Sequence, residues 1–184
     1  MWQAFRNFYW GFLFVLIDFR FNGFDILPDI IGYAFFAAAF HVLADRNFHF
    51  SKARSYNIIM LILSVFSIYE RPAQNTEGLN IQVDPLGFLI GIASLIFSLL
   101  VLYHLFMGIK HMADEVEESG ISAEAEQRWK QLLYLQIAGF GTILLIFVPP
   151  VAIVTLIILL VISIALTVNC MKFMTRCGEF FTDE

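Results

Sequence analysis

The residues best equipped for chemistry in this 184-residue sequence are carboxylates gathered beside one arginine. Asp18, Arg20, Asn22, Asp25 and Asp29 interrupt the apolar stretch D-F-R-F-N-G-F-D-I-L-P-D-I-I-G-Y, which ends at Tyr33. Asp84 introduces a later apolar stretch. Such carboxylates can hold a hard cation through oxygen ligands, bind a basic solute, or pass protons as acid and base. Arg20 can pair with Asp18, Asp25 or Asp29, or clamp a phosphate. The plain alternative is a capped turn between two helices whose charges satisfy one another. Nothing in the spacing fixes a coordination geometry, so no metal, cofactor or catalytic residue is assigned.

The same residues read as helix punctuation. Asn22-Gly23 favours a tight turn. Asp25 suits an N-cap and Pro28 a first turn, which predicts a helix over 26–44. Asp29, Gly32 and Tyr33 have an echo in Asp84-Pro85-Leu86-Gly87-Phe88, where Asp84 caps and Pro85 opens the next inward helix. The echo raises a tandem repeat of helix hairpins; the alternative is that all helix starts draw on the same few residues. Gly87 and Gly91 make a G-x-x-x-G step suited to close helix packing.

Other chemistry is thin. His104 and His111 are seven apart, roughly on one face, and His41 stands alone; no H-E-x-x-H or Cys/His cluster is present. Cys170 and Cys177 read as buried or idle thiols. No Walker A loop, G-x-S-x-G elbow or nucleotide fingerprint occurs, and net charge is −5. These observations exclude a typical ATPase or hydrolase and a nucleic-acid binder.

The elements that would position these residues are apolar and long. Apolar residues make up 59% of the chain and charged ones 15%, against about 25% charged in soluble domains. A bilayer core needs roughly 20 helical residues, and lipid demands that their backbone groups pair internally. The reading is an all-α integral membrane bundle of six transmembrane helices in one domain, with spans near 3–19, 26–44, 53–69, 85–109, 130–148 and 150–171. The third has an apolar core of only 58–69 and needs the residues before it to reach across. The first is retained rather than cleaved, since no A-x-A-like site follows it.

Six spans put Arg6, Arg46, Lys52, Arg54, Lys110, Arg128, Lys130, Lys172 and Arg176 on one side, leaving Arg20 and Arg71 on the other. The positive-inside rule then sets both termini in the cytoplasm. Segment 110–130 becomes a polar cytoplasmic loop. Helix four is expected to run on to Glu118, Ser119-Gly120 to break it, and Ser122 to cap the fifth helix.

The stretch through Asn22-Gly23-Phe24-Asp25-Ile26-Leu27-Pro28-Asp29-Ile30-Ile31-Gly32-Tyr33 resembles one in a family of small, uncharacterised multipass membrane proteins of Bacillus- and Clostridium-type bacteria, where N-G-x-D-I-L-P-D-x-I-G-Y leads into the second helix. The resemblance implies a bacterial plasma membrane and a multi-pass chain. It implies no chemistry, and it marks Asp25, Pro28, Asp29, Gly32 and Tyr33 for testing.

Three functions compete. The first is a structural, sensory or accessory membrane protein acting through lipid or a partner. The second is a small transporter or permease for a cation or basic solute. The third is a membrane-embedded enzyme acting on lipid at the outer surface. The expected partners are membrane lipid and a second copy or another membrane protein; the acidic part of 110–130 also offers a face to a soluble partner.

Overall fold

A computed structural model describes residues 1–16, 20–21, 24–25, 29–67, 85–142 and 148–182. The architecture is all-α, and the described residues form six helices: α1 (Trp2–Leu16), α2 (Asp29–Leu43), α3 (Phe48–Ser67), α4 (Pro85–Glu115), α5 (Ser119–Gly141) and α6 (Pro149–Phe180). One small antiparallel ladder, β1 (Arg20–Phe21) with β2 (Phe24–Asp25), lies between the first two helices.

Length and composition separate the helices. At about 1.5 Å per residue, the 31 residues of α4 and 32 of α6 reach about 47 Å. These two helices are long and apolar enough to cross a membrane. The 15 residues of α1 and of α2 reach only about 22 Å. With 20 residues, α3 is long enough, but its first turns carry Lys52 and Arg54.

Three expected boundaries can be set beside the structure. Asp25 stands opposite Arg20 on the strand ladder, α2 is described from Asp29, and the expected start at 26 lies outside the described residues. Asp29 there lies in the first turn, where free N–H groups and the helix dipole favour a carboxylate. The third helix starts at Phe48, five residues before the expected 53, because Asn47 accepts the Phe50 N–H through Oδ1 at 3.1 Å. Its Nδ2 also donates to the Gly108 carbonyl at 3.0 Å, so one side chain caps α3 and ties it to α4.

The third correction concerns 110–130, which is a tight helical hairpin rather than a loop. The break falls at Val116–Glu118, and Ser119-Gly120 open α5 instead of interrupting the chain. Glu117 takes a positive φ of 58°. The Glu118 N–H reaches the Ala113 carbonyl at 2.8 Å and the Glu117 N–H that of Asp114 at 3.3 Å. This pair of bonds closes a Schellman turn, with glutamate where glycine is usual. Ser122 does not cap a helix end; its hydroxyl donates to Asp114 Oδ1 at 2.5 Å, across the turn.

The helices form a closed ring in which each packs on the next and α6 packs back on α1. Phe5 stacks on Phe181, 5.8 Å between ring centres, so both ends of the chain meet at one end of the bundle, here the terminal end. Phenylalanines fill the middle. Phe36 meets Phe8, Phe12 and Phe40 edge to face at 5.2–6.1 Å, and Phe106 bridges Phe12 of α1 and Phe173 of α6. Edge-to-face geometry suits rings whose faces are negative and edges positive.

Glycine makes the tightest of these contacts possible. A Cβ on Gly32 would stand 2.5 Å from the Val15 side chain and 3.0 Å from the Gly11 carbonyl, and one on Gly11 would run into the Phe36 ring. Bare backbone at both positions lets α1 and α2 touch. Asn57 fastens the next seam: buried, it donates Nδ2 to the Tyr33 carbonyl at 2.9 Å.

Candidate functional site

The described residues cover only part of the acidic stretch. Arg20 and Asp25 are opposite each other on the ladder, and Asp29 starts α2. Asp18, Pro28 and Asp84 lie outside the described residues. Gly32 and Tyr33 are buried packing positions, Pro85 is the first residue of α4, and Gly87 is exposed. Among the described residues no group of three His, Cys, Asp or Glu side chains converges as a metal site would require.

Polar chemistry is concentrated instead at the terminal end. Helix α5 presents Glu124, Glu126, Arg128 and Lys130 at one-turn spacing, which brings each acid beside a base four residues on. Arg128 Nη2 donates to Glu124 Oε1 at 2.8 Å, and Arg176 of α6 donates to the other carboxylate oxygen. Glu126 receives Lys130 at 2.8 Å and Lys110 of α4. Two carboxylates of one helix therefore clasp the two helices beside it.

Their acidities follow from these partners. Burial works to raise the Glu124 carboxyl, but hydrogen bonds and charge from Arg128 and Arg176 outweigh it and hold it below the usual range. Glu126 is half-buried, and hydrogen bonds from Lys110 and Lys130 bring it down to about 2. Both stay ionised at neutral pH.

A cleft of about 530 Å³ opens beside this network, between α1, α5 and α6. Arg128, Lys172 and Arg176 line it with Glu124, and Tyr9, Asn169 and Thr175 complete the rim. A second cleft of about 320 Å³ adjoins it and shares Tyr9 and Thr175. Trp2, Phe5 and Trp10 make its walls aromatic, with Arg6 at the edge. The paired spaces can accept an anion in the first and apolar groups in the second.

A third cluster crosses α3, α4 and α5. His49 and His104 approach Nδ1 to Nδ1 at 3.0 Å. One ring must donate and the other accept, so the contact cannot survive with both charged. Tyr56, Tyr103 and Trp129 extend the cluster as an aromatic chain with centroid separations of 5.1–5.5 Å.

The sequence expectation set His104 against His111. The structure gives His104 to His49, and His111 to Glu115 at 3.4 Å. His49 was missed because its partner lies 55 residues away, and no spacing rule reaches that far. The acid–base pairs on α5 carry a local signal in their four-residue intervals; their links to α4 and α6 do not. Cys170 and Cys177 are buried free thiols. Compared with known protein families, with curated proteins and with solved structures, the chain matches none.

Proposed function

We propose that the chain is a multipass membrane protein whose six helices all cross, with both termini cytoplasmic, and that it serves as a structural, sensory or accessory component through contacts with lipid or a partner. The observation that carries the reading is α6. From Val151 to Ala165 every side chain is exposed or half-buried, and only Thr155 and Ser163 among them are polar. Water would not tolerate such a surface, while acyl chains match it. The nine basic residues gathered toward the terminal end agree with a cytoplasmic face there. The short α1 and α2 fit this reading if the bilayer thins or flanking residues complete the span. The membrane is taken to be a bacterial plasma membrane, on the resemblance of the stretch ending at Tyr33.

Transport or catalysis draws less support. Of the buried polar side chains among the described residues, Asn57, Ser64 and Thr167 each donate to a helix carbonyl and Ser122 donates to Asp114. None of these bonds marks a path for a solute.

Reporter fusions test the topology. Green fluorescent protein fused after residues 46 or 116 should fluoresce, and alkaline phosphatase fused after 76 or 148 should be active. Equal reporter activity after 46 and 76 would show that α3 does not cross. Recovery of the chain in the soluble fraction without detergent would overturn the membrane reading itself.

A further inference from the structure

We propose that the paired clefts between α1, α5 and α6 bind an anionic phospholipid, its phosphate among Arg128, Lys172 and Arg176 and its glycerol and acyl region against Trp10. The inference rests on the membrane reading above and names the lipid class that this face would select.

Charge carries the first half. The larger cleft holds three cations against one carboxylate, Glu124. Glu124 takes one N–H from each arginine, and a guanidinium has five to give. Arg128 spends a further one on Gln131 at 3.0 Å, while its buried Nε has no hydrogen-bond partner among the described residues. Lys172 is exposed and forms no ion pair among the described residues. An incoming phosphate would meet Lys172 and the unused face of Arg176 without displacing Glu124. Arginine suits this role because its fork matches two phosphate oxygens at once.

The adjoining aromatic cleft selects the source. A free phosphate would fill only the cationic space. A phospholipid is charged at the head and apolar a few ångströms away, and the two clefts repeat that order, meeting at Tyr9 and Thr175. Trp2 and Trp10 are each about two-fifths exposed, Trp2 at the terminal end of α1 where an indole suits a membrane–water boundary and Trp10 two turns deeper. Basic pockets between helices on the cytoplasmic side are a known form of anionic-headgroup recognition.

The test uses the full chain purified in neutral detergent and titrated with dioleoylphosphatidylglycerol, with dioleoylphosphatidylcholine of the same tails, and with inorganic phosphate, binding being read by native mass spectrometry. Phosphatidylglycerol should bind at least tenfold tighter than phosphatidylcholine. Lys172→Glu should lower its affinity about tenfold and leave phosphatidylcholine unchanged. Lys52→Glu, at the same end but remote from the clefts, should change neither. Glu124→Gln should tighten phosphatidylglycerol by removing the competing charge.

Equal binding of the two lipids, an unchanged Lys172→Glu variant, or an equal loss in Lys52→Glu would overturn the proposal. Displacement of phosphatidylglycerol by equimolar inorganic phosphate would assign the cleft to free phosphate and overturn the lipid. Alkaline extraction from phosphatidylcholine vesicles separates the two levels. A chain that resists extraction but shows no headgroup preference refutes this proposal alone; one that washes off refutes the membrane reading beneath it.

Discussion

The two ends of the bundle are built on different contacts. From the terminal end to the middle, phenylalanines from α1, α2, α4 and α6 interlock, and at the terminal end α5 clasps α4 and α6 through carboxylates. Toward the far end, α6 has no buried residue from Val151 to Ala165, and α5 has none from Leu133 to Gly141. The terminal end is therefore specified by side chains of the protein, and the far end of these helices by what surrounds them. Substitutions should be felt strongly at the first and weakly at the second.

Phe36→Ala is the harshest trial of that contrast. It opens a hole among four rings and should cost about 3 kcal/mol, read as a fall in the midpoint of denaturant unfolding in mixed micelles. Gly11→Val should cost about 2 kcal/mol by overpacking against Phe36. A Phe36→Leu background should recover part of that loss, because the obstructing ring is gone.

Glu117→Gly tests the hairpin turn with the opposite sign. A non-glycine residue at positive φ is strained by roughly 1 kcal/mol, so glycine should raise the thermal midpoint. No change would show that the turn is stabilised through the Glu117 side chain.

The Glu126 clasp has a smaller effect with a defined pH window. Its carboxyl is held at about 2, below its unperturbed value of 4.5. Its contribution is therefore complete above about 4.5 and lost as pH falls toward 2. Thermal midpoints measured from pH 6 to 2.5 should fall less steeply in Glu126→Gln than in the parent chain. Smallest of all, Ile157→Ala should change stability by less than about 0.5 kcal/mol, since Ile157 is 57% exposed. A large loss there would mean that a second protein surface covers α6.

Much of the helical plan is readable in the sequence because lipid-length apolar runs need no partner to be recognised. Pro85 and Pro149 mark helix starts by removing a donor that a first turn does not use. Boundaries set by one polar side chain are harder. Asn47 adds a turn and more to α3 through a single hydrogen bond, and Glu117 rather than Gly120 takes the positive φ. The acidic stretch is legible because its charges are close in sequence. His49 with His104 and Glu124 with Arg176 meet from 55 and 52 positions apart. Their pairing is a property of the ring, and only packing reveals it.

That ring has an order of assembly written into it. Five of its six seams join helices that follow one another in the chain, so each hairpin can form as its second helix leaves the ribosome. The seam between α1 and α6 cannot form until the last helix is made, and it closes the longest loop in the molecule at the greatest entropic cost. Until then the faces of α1 that carry Trp2 and Phe5 have no Gly178 to rest on. Before α6 is made the helices form an open arc, and α6 locks it.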